Sequence, residues 1–416
     1  MSNATGQEVR RRRVFYIPGY DPIHPRRYRE LYRKEGATQA TISGYELTLR
    51  PRRVQGAYGW LVEAGIDGAR SAAEVEVLVW SDIVRDSMSN TIPATYGQLL
   101  RTAWTYIASG ALWRLMRLRK GPVIAALYPV TMLLLQLGLA LGAGALAGAA
   151  LLGVAALAGA ALPGWFAAAL WWLACLGVAV LVLRWFKAKD GKFYAHYLMH
   201  DYAYSARWRG ANPPELEARL AAFGEAVAGA LADETLDEVL VVGHSSGAHL
   251  AISVLADVIR AGRVPANGPA LAFLSLGQVV PMVSFLPEAW RLRADLAYLA
   301  ARDELTWVDV TAPGDGCAFA LCDPVAVSGV APEGKRWPLV VSAAFTQTLS
   351  PARWRALRWR FFRLHFQYLC AFDRPGDYDY FQITAGPLTL GTRYAGRKPS
   401  ASRIDMPVSK YTSQAA

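Results

Sequence analysis

The sequence has no charged residue over one long stretch: from Gly121 to Leu183, 63 consecutive residues include no Asp, Glu, Lys, Arg or His. Of the 416 residues, 53% are hydrophobic and only 19% are charged, against about 25% in ordinary globular domains. This composition excludes an intrinsically disordered chain, which needs low hydrophobicity and high charge. Because the surplus of apolar residues lies in one stretch, the composition also excludes a soluble protein in which such residues are evenly spread.

Cysteine is also scarce, and its four positions show neither a C-x-x-C pair nor the Cys/His spacing of a zinc site: Cys175, Cys317, Cys322 and Cys370. His196 and His200 lie four residues apart and have no clear third ligand. We therefore expect no metal, no cofactor and no disulfide, which fits a reducing cytoplasm. The basic run Arg10–Arg13 is followed by no apolar segment long enough for a signal peptide, so we expect no export signal.

The uncharged stretch has the length of two membrane spans. Because about 20 apolar residues cross roughly 30 Å of hydrocarbon, we predict spans at 123–144 and 163–183, whose Gly and Ala residues allow close helix packing. The positive-inside rule places both ends of this hairpin on the cytoplasmic side. The alternative is a buried, Ala-rich hairpin of a soluble protein. Basic residues flank the stretch on both sides: Arg114, Arg117, Arg119 and Lys120 before it, and Arg184, Lys187, Lys189 and Lys192 after it.

The net charge of +11 suggests an anionic partner, either a membrane surface or a nucleic acid. Much of the excess lies beside the uncharged stretch or in Arg10–Arg13, which favours lipid headgroups. The segment Arg353–Arg363 mixes five arginines with Trp and Phe, a combination that suits headgroups or RNA. On a helical wheel these arginines do not gather on one face, so we expect the lipid bilayer as a partner and no nucleic acid.

Outside the uncharged stretch, short aliphatic runs alternate with helical stretches, the pattern of a mostly parallel α/β sheet. We predict strands at 14–17, 42–49, 75–80, 239–242, 270–276, 306–310 and 339–343, with a turn-rich stretch after residue 49. We predict helices at 25–36, 95–118, 213–232 and 248–260. The segment from 391 onward is rich in Lys, Arg, Ser and Pro, and we expect it to be a loose tail.

The residues with the clearest chemistry are Gly243-His244-Ser245-Ser246-Gly247, a G-x-S-x-G pattern. The pattern directly follows the aliphatic run Val239–Val242 and directly precedes the predicted helix 248–260. This context is typical of a nucleophile elbow, in which flanking glycines let the serine take a strained conformation. The helix then directs its N-terminal amides toward the serine, which favours an oxyanion there. The alternative is an ordinary Gly-rich turn with a solvated serine.

With this elbow, the sequence resembles the α/β-hydrolase superfamily on its lipase and esterase side. The resemblance implies an α/β-hydrolase fold in which the two-helix hairpin is inserted before the elbow strand. It also implies a nucleophile, an acid and a histidine in that chain order, with Ser245 as nucleophile. Of the six histidines, only His365 comes late enough, about twenty residues after the predicted strand 339–343. The alternative for His365 is a position on a helix surface among arginines.

Three aspartates compete for the acid that the resemblance implies. Asp315 follows the end of the predicted strand 306–310 in a Pro-Gly turn, where the family presents its acid, and it is our first choice. Asp323, in an Asp-Pro-Val segment, is the alternative. Asp309 lies inside the predicted strand, where its side chain would be buried in the sheet. For each of them, the ordinary role is to cap a turn.

The resemblance also implies an oxyanion hole, made by the amide after the nucleophile and an amide from the loop after an early strand. The first donor is Ser246. The loop is Pro18-Gly19-Tyr20-Asp21, in which the glycine lets the backbone approach the serine, so Tyr20 is the expected second donor. Ile17-Pro18 stands where many lipases have a histidine, which is a departure from their pattern.

These expectations together describe a membrane-anchored serine hydrolase that cleaves carboxylic esters. We predict a catalytic domain in two parts, 1–120 and 187–390, a transmembrane hairpin at 121–186 and a loose polar tail at 391–416. A membrane tether raises the local lipid concentration, which favours a lipid or another apolar acyl ester as substrate. We expect an integral protein of a bacterial-type inner or plasma membrane, with its catalytic domain on the cytoplasmic side. The alternative is a catalytically silent fold that serves as a membrane scaffold or binding module.

Overall fold

An eight-stranded, mostly parallel sheet flanked by helices organises the chain, so the predicted α/β class is confirmed. The computed structural model describes residues 8–52, 57–88 and 91–416. The order across the sheet is β2-β3-β4-β1-β5-β6-β7-β8. The strands are β1 Arg11–Ile17, β2 Glu46–Pro51, β3 Gly59–Ile66, β4 Ala69–Val77, β5 Glu238–His244, β6 Ala270–Leu276, β7 Leu305–Thr311 and β8 Leu339–Ser342.

Strand β5 lies within the parallel part of the sheet, and all seven of its residues are buried. It pairs with β1, where Ile17 lies opposite Gly243, and with β6, where His244 lies opposite Leu276. A continuous aliphatic run is the sequence signature of a strand that is covered on both faces. Because the pairing is parallel from β1 through β8, the ends of these strands meet at one edge, which we name the carboxyl edge.

Strands β2 and β3, at one end of the sheet, run antiparallel to their neighbours, and the sequence patterns did not predict β3. It pairs with β2 and with β4. Asp67 and Gly68 connect β3 to β4 with positive φ angles of 52° and 79°, the geometry that an Asp-Gly hairpin turn adopts. The prediction of a turn-rich stretch after residue 49 is therefore wrong for 59–66, whose alternating burial is that of a strand with one covered face.

Helices fill most of the connections between strands, and two predicted ones, 213–232 and 248–260, are confirmed to within two residues. The predicted helix 95–118 is divided in two by Gly110, whose φ of 73° is left-handed. The helices are α1 Arg26–Ser43, α2 Ser81–Ser87, α3 Ile92–Ala108, α4 Ala111–Leu118, α5 Lys120–Leu157, α6 Gly164–Ala188, α7 Asp190–Phe193, α8 Ala195–Arg207, α9 Pro214–Leu231, α10 Gly247–Arg260, α11 Val280–Ser284, α12 Trp290–Ala300, α13 Pro324–Val327, α14 Phe345–Thr348, α15 Pro351–Leu357, α16 Phe361–His365, α17 Tyr380–Ala385 and α18 Leu390–Arg393, with a 3₁₀ turn at Phe366–Leu369.

The chain forms two compact units. The first contains the sheet and comprises Met1–Asp86, Tyr106–Val123 and Trp208–Ala416. The second comprises Ser87–Thr105 and Ile124–Arg207, and the regular elements that the structure describes in it are all helices. A small apolar core joins α3, α5 and α8 within the second unit: Leu99, Leu133, Ala195, Met199 and Ala203.

Helices α5 and α6, of 38 and 25 residues, are long and apolar enough to cross a membrane. Only 17% and 11% of the residues in their most apolar stretches are buried, whereas the helices of a soluble core bury most such residues. The two helices touch at Gly144, where an added Cβ would clash with the carbonyl oxygen of Cys175. Both helices extend beyond the spans predicted at 123–144 and 163–183.

The segment predicted as a loose tail at 391–416 is held to the first unit by backbone hydrogen bonds. The N–H of Ile404 donates to the carbonyl oxygen of Leu321 (2.7 Å), and the N–H of Val408 donates to that of Val327 (3.0 Å). The prediction of a loose tail is therefore wrong. The prediction was based on the polar side chains of this segment, whereas hydrogen bonds of its main chain hold it in place.

Two arginines of the run Arg10–Arg13 belong to the sheet and not to a lipid-facing surface. Arg12 is 1% exposed, and its Nε lies 2.5 Å from Oε2 of Glu238 on the neighbouring strand β5. Arg13 forms ion pairs with two glutamates of β4. The expectation that this run faces a membrane therefore fails for these two residues, whose charge is neutralised within the fold.

Candidate active site

Ser245 sits in a sharp turn between β5 and α10, at the carboxyl edge. Its φ is +57°, a left-handed conformation that a non-glycine residue adopts only under strain. Its N–H donates to the carbonyl oxygen of Leu276 at the end of β6 (2.9 Å). The residue is half-buried, whereas the residues on either side of it are buried. The turn thus fixes the serine where two strands end and leaves it accessible.

Both glycines of the G-x-S-x-G pattern are required by close backbone contacts. A Cβ on Gly243 would lie 2.7 Å from Cα of Ala248 in the first turn of α10. A Cβ on Gly247 would clash with the carbonyl oxygen of Ile17 at the end of β1. Helix α10 therefore starts directly behind Ser245, with the positive end of its dipole at the serine.

Asp315 and His365 form a direct hydrogen-bonded pair. Asp315 lies in the loop between β7 and α13, and His365 is the last residue of α16. Nδ1 of His365 lies 2.7 Å from Oδ2 of Asp315, and both residues are buried. The structure thus brings together two residues that are fifty positions apart in the sequence, and the bond to Nδ1 leaves Nε2 as the ring nitrogen available for proton transfer.

Further donors hold the carboxylate of Asp315. The N–H of Cys317 donates to Oδ1 (2.9 Å), and the hydroxyl of Tyr368 donates to Oδ2 (3.0 Å). Burial acts to raise the pKa of Asp315, but His365 and these two donors outweigh burial and lower the pKa below its ordinary value. Asp315 is therefore an anion that accepts hydrogen bonds on both oxygens.

The ring of His365 lies beside the strand end that also binds Ser245. A Cβ on Gly277 would lie 3.1 Å from Cε1 of His365, and Gly277 directly follows Leu276, whose carbonyl oxygen accepts the N–H of Ser245. The catalytic residues predicted from the sequence, Ser245, Asp315 and His365, are therefore all placed at the carboxyl edge.

The loop predicted to supply the second oxyanion donor lies against Ser245. A Cβ on Gly19 would lie 3.0 Å from Cβ of Ser245 and 3.4 Å from its Oγ. The carbonyl oxygen of Pro18 accepts a hydrogen bond from Nε1 of Trp80 (2.9 Å), and the buried ring of Tyr20 packs edge-on against the same indole. The loop is thus fixed with its backbone next to the serine, where Tyr20 and Ser246 were predicted to act.

The two competing aspartates have other partners. Asp323 caps α13 by accepting hydrogen bonds from two backbone N–H groups, and its Oδ2 lies 2.6 Å from Nζ of Lys335. Asp309, in β7, accepts a hydrogen bond from the hydroxyl of Ser275 (2.6 Å). Burial raises the pKa of Asp309 to about 8. Of the three aspartates, Asp315 is the one that bonds His365.

Two residues that the sequence patterns did not single out support this pair. One is Tyr368, three residues after His365, a spacing that places both side chains on one side of a helical turn. The other is His244, whose Nε2 lies 3.0 Å from the carbonyl oxygen of His365. Burial and the proximity of His365 lower the pKa of His244 to about 3, so His244 is a neutral donor that fixes the backbone of His365.

One group of side chains at this site has the composition of metal ligands. Asp315, Cys317 and His365 each offer a ligand atom, all within 4.8 Å of one another, and among the described residues no other group of three does so. Two ligand atoms bound to one tetrahedral zinc ion lie about 3.3 Å apart. The 2.7 Å between Asp315 and His365 is instead the distance of two atoms that share a proton.

Comparisons with protein-family models, with curated proteins and with solved structures found no match for this chain. The geometry of the site is that of a strained, accessible serine, a buried Asp–His pair and a glycine-containing loop, all at the carboxyl edge. Such an arrangement is suited to nucleophilic acyl transfer.

Proposed function

We propose that this chain is a membrane-anchored serine hydrolase with an α/β-hydrolase fold, which cleaves carboxylic esters through Ser245, His365 and Asp315. The single observation that supports this most is the 2.7 Å bond between Asp315 and Nδ1 of His365, at the edge where Ser245 adopts a φ of +57°. A buried carboxylate that orients a histidine, at the strand edge that also carries a strained serine, is what a serine triad requires.

The order of the elements along the chain also supports the proposal. The glycine loop follows β1, the serine follows β5, and the aspartate follows β7. The histidine comes after β8, the last strand. This is the order that an α/β-hydrolase requires, and each element delivers its residue to the carboxyl edge, where open α/β sheets bind their ligands.

The first half of the reaction forms an acyl-enzyme. Nε2 of His365 accepts the proton of the Ser245 hydroxyl as Oγ attacks the ester carbonyl carbon. The backbone amides of Ser246 and Tyr20 donate hydrogen bonds to the oxyanion. Asp315 keeps the proton on Nδ1 and stabilises the imidazolium. The imidazolium then gives its proton to the leaving alkoxide, and the alcohol departs.

The second half releases the acid. His365 takes a proton from water as the water oxygen attacks the acyl carbonyl, and the same amides hold the second oxyanion. Collapse of this intermediate breaks the bond to Oγ, and His365 returns the proton to Ser245. Every proton and every bond in the two half-reactions is accounted for by the ester, the residues of this chain and one water molecule.

The second unit indicates the substrate class. Helices α5 and α6 are largely unburied and apolar, which supports an arrangement in which they cross a bilayer and hold the hydrolase beside lipid. The basic residues on both sides of the uncharged stretch orient both ends of the helical hairpin, and the catalytic unit with them, toward the cytoplasm. An enzyme held at a membrane meets lipid at high local concentration, so the substrate is a lipid ester or another apolar acyl ester.

The experiment is ester hydrolysis by the full chain reconstituted in lipid bilayers. Long-chain acyl esters incorporated in the bilayer are compared with short soluble esters, with Ser245→Ala as the blank. Ser342→Ala serves as the matched control, because Ser342 ends β8 at the same edge and its hydroxyl accepts a local N–H, that of Ala344. We expect bilayer esters to be cleaved with the higher kcat/KM, and Ser342→Ala to retain this activity.

Each contrary outcome rejects a defined part of the proposal. Turnover of short soluble esters without turnover of bilayer esters contradicts the lipid substrate and leaves the triad standing. Turnover that survives Ser245→Ala contradicts the triad. Absence of any Ser245-dependent turnover across both ester classes supports the alternative, a catalytically silent membrane scaffold.

A further inference from the structure

The chain directly before His365 exposes an unusual set of side chains. Trp359 is 72% exposed and Phe361 is 46% exposed, and four arginines around them are exposed as well. We name this set the basic-aromatic surface. It extends from α15 to α16 in the first unit and consists of Arg355, Arg358, Trp359, Arg360, Phe361 and Arg363.

The four arginines of this surface form no ion pair with any Asp or Glu of the described residues. Their neighbour Arg353, by contrast, pairs with Asp373 (2.8 Å) and Glu35. The guanidinium of Arg358 lies 5.6 Å from the ring centroid of Trp359. The surface therefore combines uncompensated guanidinium groups with a large exposed indole.

This combination is complementary to one kind of partner. Guanidinium groups bind phosphate oxygens with paired hydrogen bonds, and Trp is enriched at the depth of lipid headgroups, where its ring is part apolar and part polar. Anionic phospholipid headgroups offer both the phosphate charge and the apolar layer just beneath it.

The basic-aromatic surface also adjoins the point where the chain enters its apolar helices. The ring of Phe361 packs on Gly316, where an added Cβ would lie 3.1 Å from Cδ1. Gly121, in the first turn of α5, also lies next to Gly316, because an added Cβ on Gly121 would lie 3.5 Å from the carbonyl oxygen of Gly316. Arg119, just before α5, donates to the carbonyl oxygen of Ala320 (2.9 Å). The loop that contains Gly316 and Ala320 therefore contacts both the basic-aromatic surface and the start of α5.

The same loop contains Asp315. The indole of Trp354 covers Gly314, whose added Cβ would lie 2.6 Å from Cη2, and Phe361 covers Gly316. The aspartate of the candidate triad is thus held between two residues of the 353–363 segment, and His365 follows that segment by two residues. A partner that binds the basic-aromatic surface therefore contacts the segment that packs on the Asp315 loop and leads into His365.

We propose that the basic-aromatic surface docks on the anionic phospholipid headgroups of the bilayer that α5 and α6 cross, and so holds the Asp315 loop and His365 at the lipid surface. This inference goes beyond the proposed hydrolysis. It depends on the two apolar helices and on the exposed arginines, and it holds whether or not Ser245 is a nucleophile.

The test is hydrogen–deuterium exchange of the full chain in two kinds of nanodisc, phosphatidylcholine alone and an equal mixture of phosphatidylcholine and phosphatidylglycerol. We expect the amides of 353–363 to exchange at least about fivefold more slowly in the anionic discs, the factor that one basic residue near an anionic surface contributes. Raising the salt concentration removes this difference, because the attraction is screened; this measurement needs no substitution.

Two variants with equal loss of charge make the test specific. The first is R355Q/R358Q/R360Q/R363Q, which we expect to exchange equally fast in both discs. The control variant is R10Q/R11Q/R263Q/R336Q, which neutralises four exposed arginines at the start of β1 and in the segments that lead into β1, β6 and β8, at the opposite edge of the sheet. This variant should keep the wild-type difference in exchange. Exchange in β5 reports on folding in every sample.

Three results overturn the proposal. Equal exchange of 353–363 in the two kinds of disc shows that anionic lipid is not the partner. Loss of the difference in the control variant shows that total charge, and not this surface, is responsible. Slowing by an RNA oligonucleotide without slowing by phosphatidylglycerol assigns the surface to nucleic acid. None of these results depends on ester turnover, so they are distinct from a failure of the hydrolase proposal.

Discussion

The hydroxyl of Tyr368 donates a hydrogen bond to Oδ2 of Asp315 (3.0 Å), the same oxygen that lies 2.7 Å from Nδ1 of His365. The Tyr368 oxygen in turn accepts the N–H of Ala312 at the end of β7 (3.0 Å). Burial and then the charge of Asp315 raise the pKa of Tyr368, so the phenol stays protonated. Tyr368 therefore positions the carboxylate relative to the sheet.

Tyr368→Phe should lower kcat about tenfold, the worth of a hydrogen bond to a charged group, and leave KM unchanged, because Tyr368 is not expected to contact substrate. The lost bond is one of those that lower the pKa of Asp315, so this pKa rises and activity is lost at a higher pH on acidification. Steady-state kinetics across pH measure both effects. Tyr378→Phe is the control, since its buried hydroxyl donates to the carbonyl oxygen of Tyr368 and not to Asp315. Equal kinetics in the two variants would show that the role of Tyr368 is structural only.

Asp315→Asn should lower kcat by about 10³- to 10⁴-fold, because an amide cannot keep the proton on Nδ1 of His365 or stabilise the imidazolium. Asp323→Asn, the matched variant of the alternative acid, should keep kcat and lose about 1 kcal/mol of stability, because it loses the ion pair with Lys335 while Asn still caps α13. Kinetics and thermal unfolding distinguish the two. If Asp323→Asn abolishes turnover and Asp315→Asn does not, the acid is misassigned.

Gly247→Ala should prevent folding of the turn or destabilise the protein by more than about 3 kcal/mol, because its Cβ would clash with the carbonyl oxygen of Ile17. Gly224→Ala in α9 is the control: its Cβ would lie 3.7 Å from Val258, an ordinary contact. This variant should gain about 0.5–1 kcal/mol, the helix preference of Ala over Gly. Thermal unfolding measures both, and a Gly247→Ala protein as stable as Gly224→Ala would disprove the close contact of β1 with the elbow.

Asp309→Asn should make stability less dependent on pH. Burial raises the pKa of Asp309 from 3.8 to about 8, so between these values the folded state keeps a proton that the unfolded state releases. Stability therefore falls as pH rises through this range, with a slope of about 1.4 kcal/mol per pH unit from this group. Asn does not titrate, so the variant should lose less stability than the wild type between pH 5 and pH 8. The measurement is the unfolding midpoint of each protein at a series of pH values in this range. Parallel curves would contradict a protonated Asp309.

Local patterns predicted the elements that form the elbow, and they failed where a long-range partner decides the structure. The aliphatic run before Ser245 marked β5, and glycines marked the turn, because close backbone contacts require them. Sequence reasoning could rank Asp315 above Asp323 only by analogy, since what separates them is the contact with His365. No local pattern in the sequence indicates that Arg12 of β1 pairs with Glu238 of the neighbouring strand β5.

Two other predictions were wrong, for strand β3 and for the segment after residue 391. The sequence carries a signal for the strand but none for the order of the segment. Strand β3 was not predicted, although Asp67-Gly68 is a hairpin signal and the side chains of 59–66 alternate in burial with a period of two. The order of the segment after 391 could not be predicted, because it depends on main-chain hydrogen bonds to β8, to α13 and to the loop before α13.

The measurement that tests the central claim most directly is the mapping of a covalent adduct on the reconstituted full chain treated with a fluorophosphonate. Such a reagent reacts with an activated serine and leaves a stable phosphonyl ester on its oxygen. The account predicts one adduct, located by peptide mass spectrometry on Ser245, abolished in Ser245→Ala and strongly reduced in His365→Ala. An unmodified Ser245 in the folded protein, or an adduct that forms equally well without His365, would contradict it.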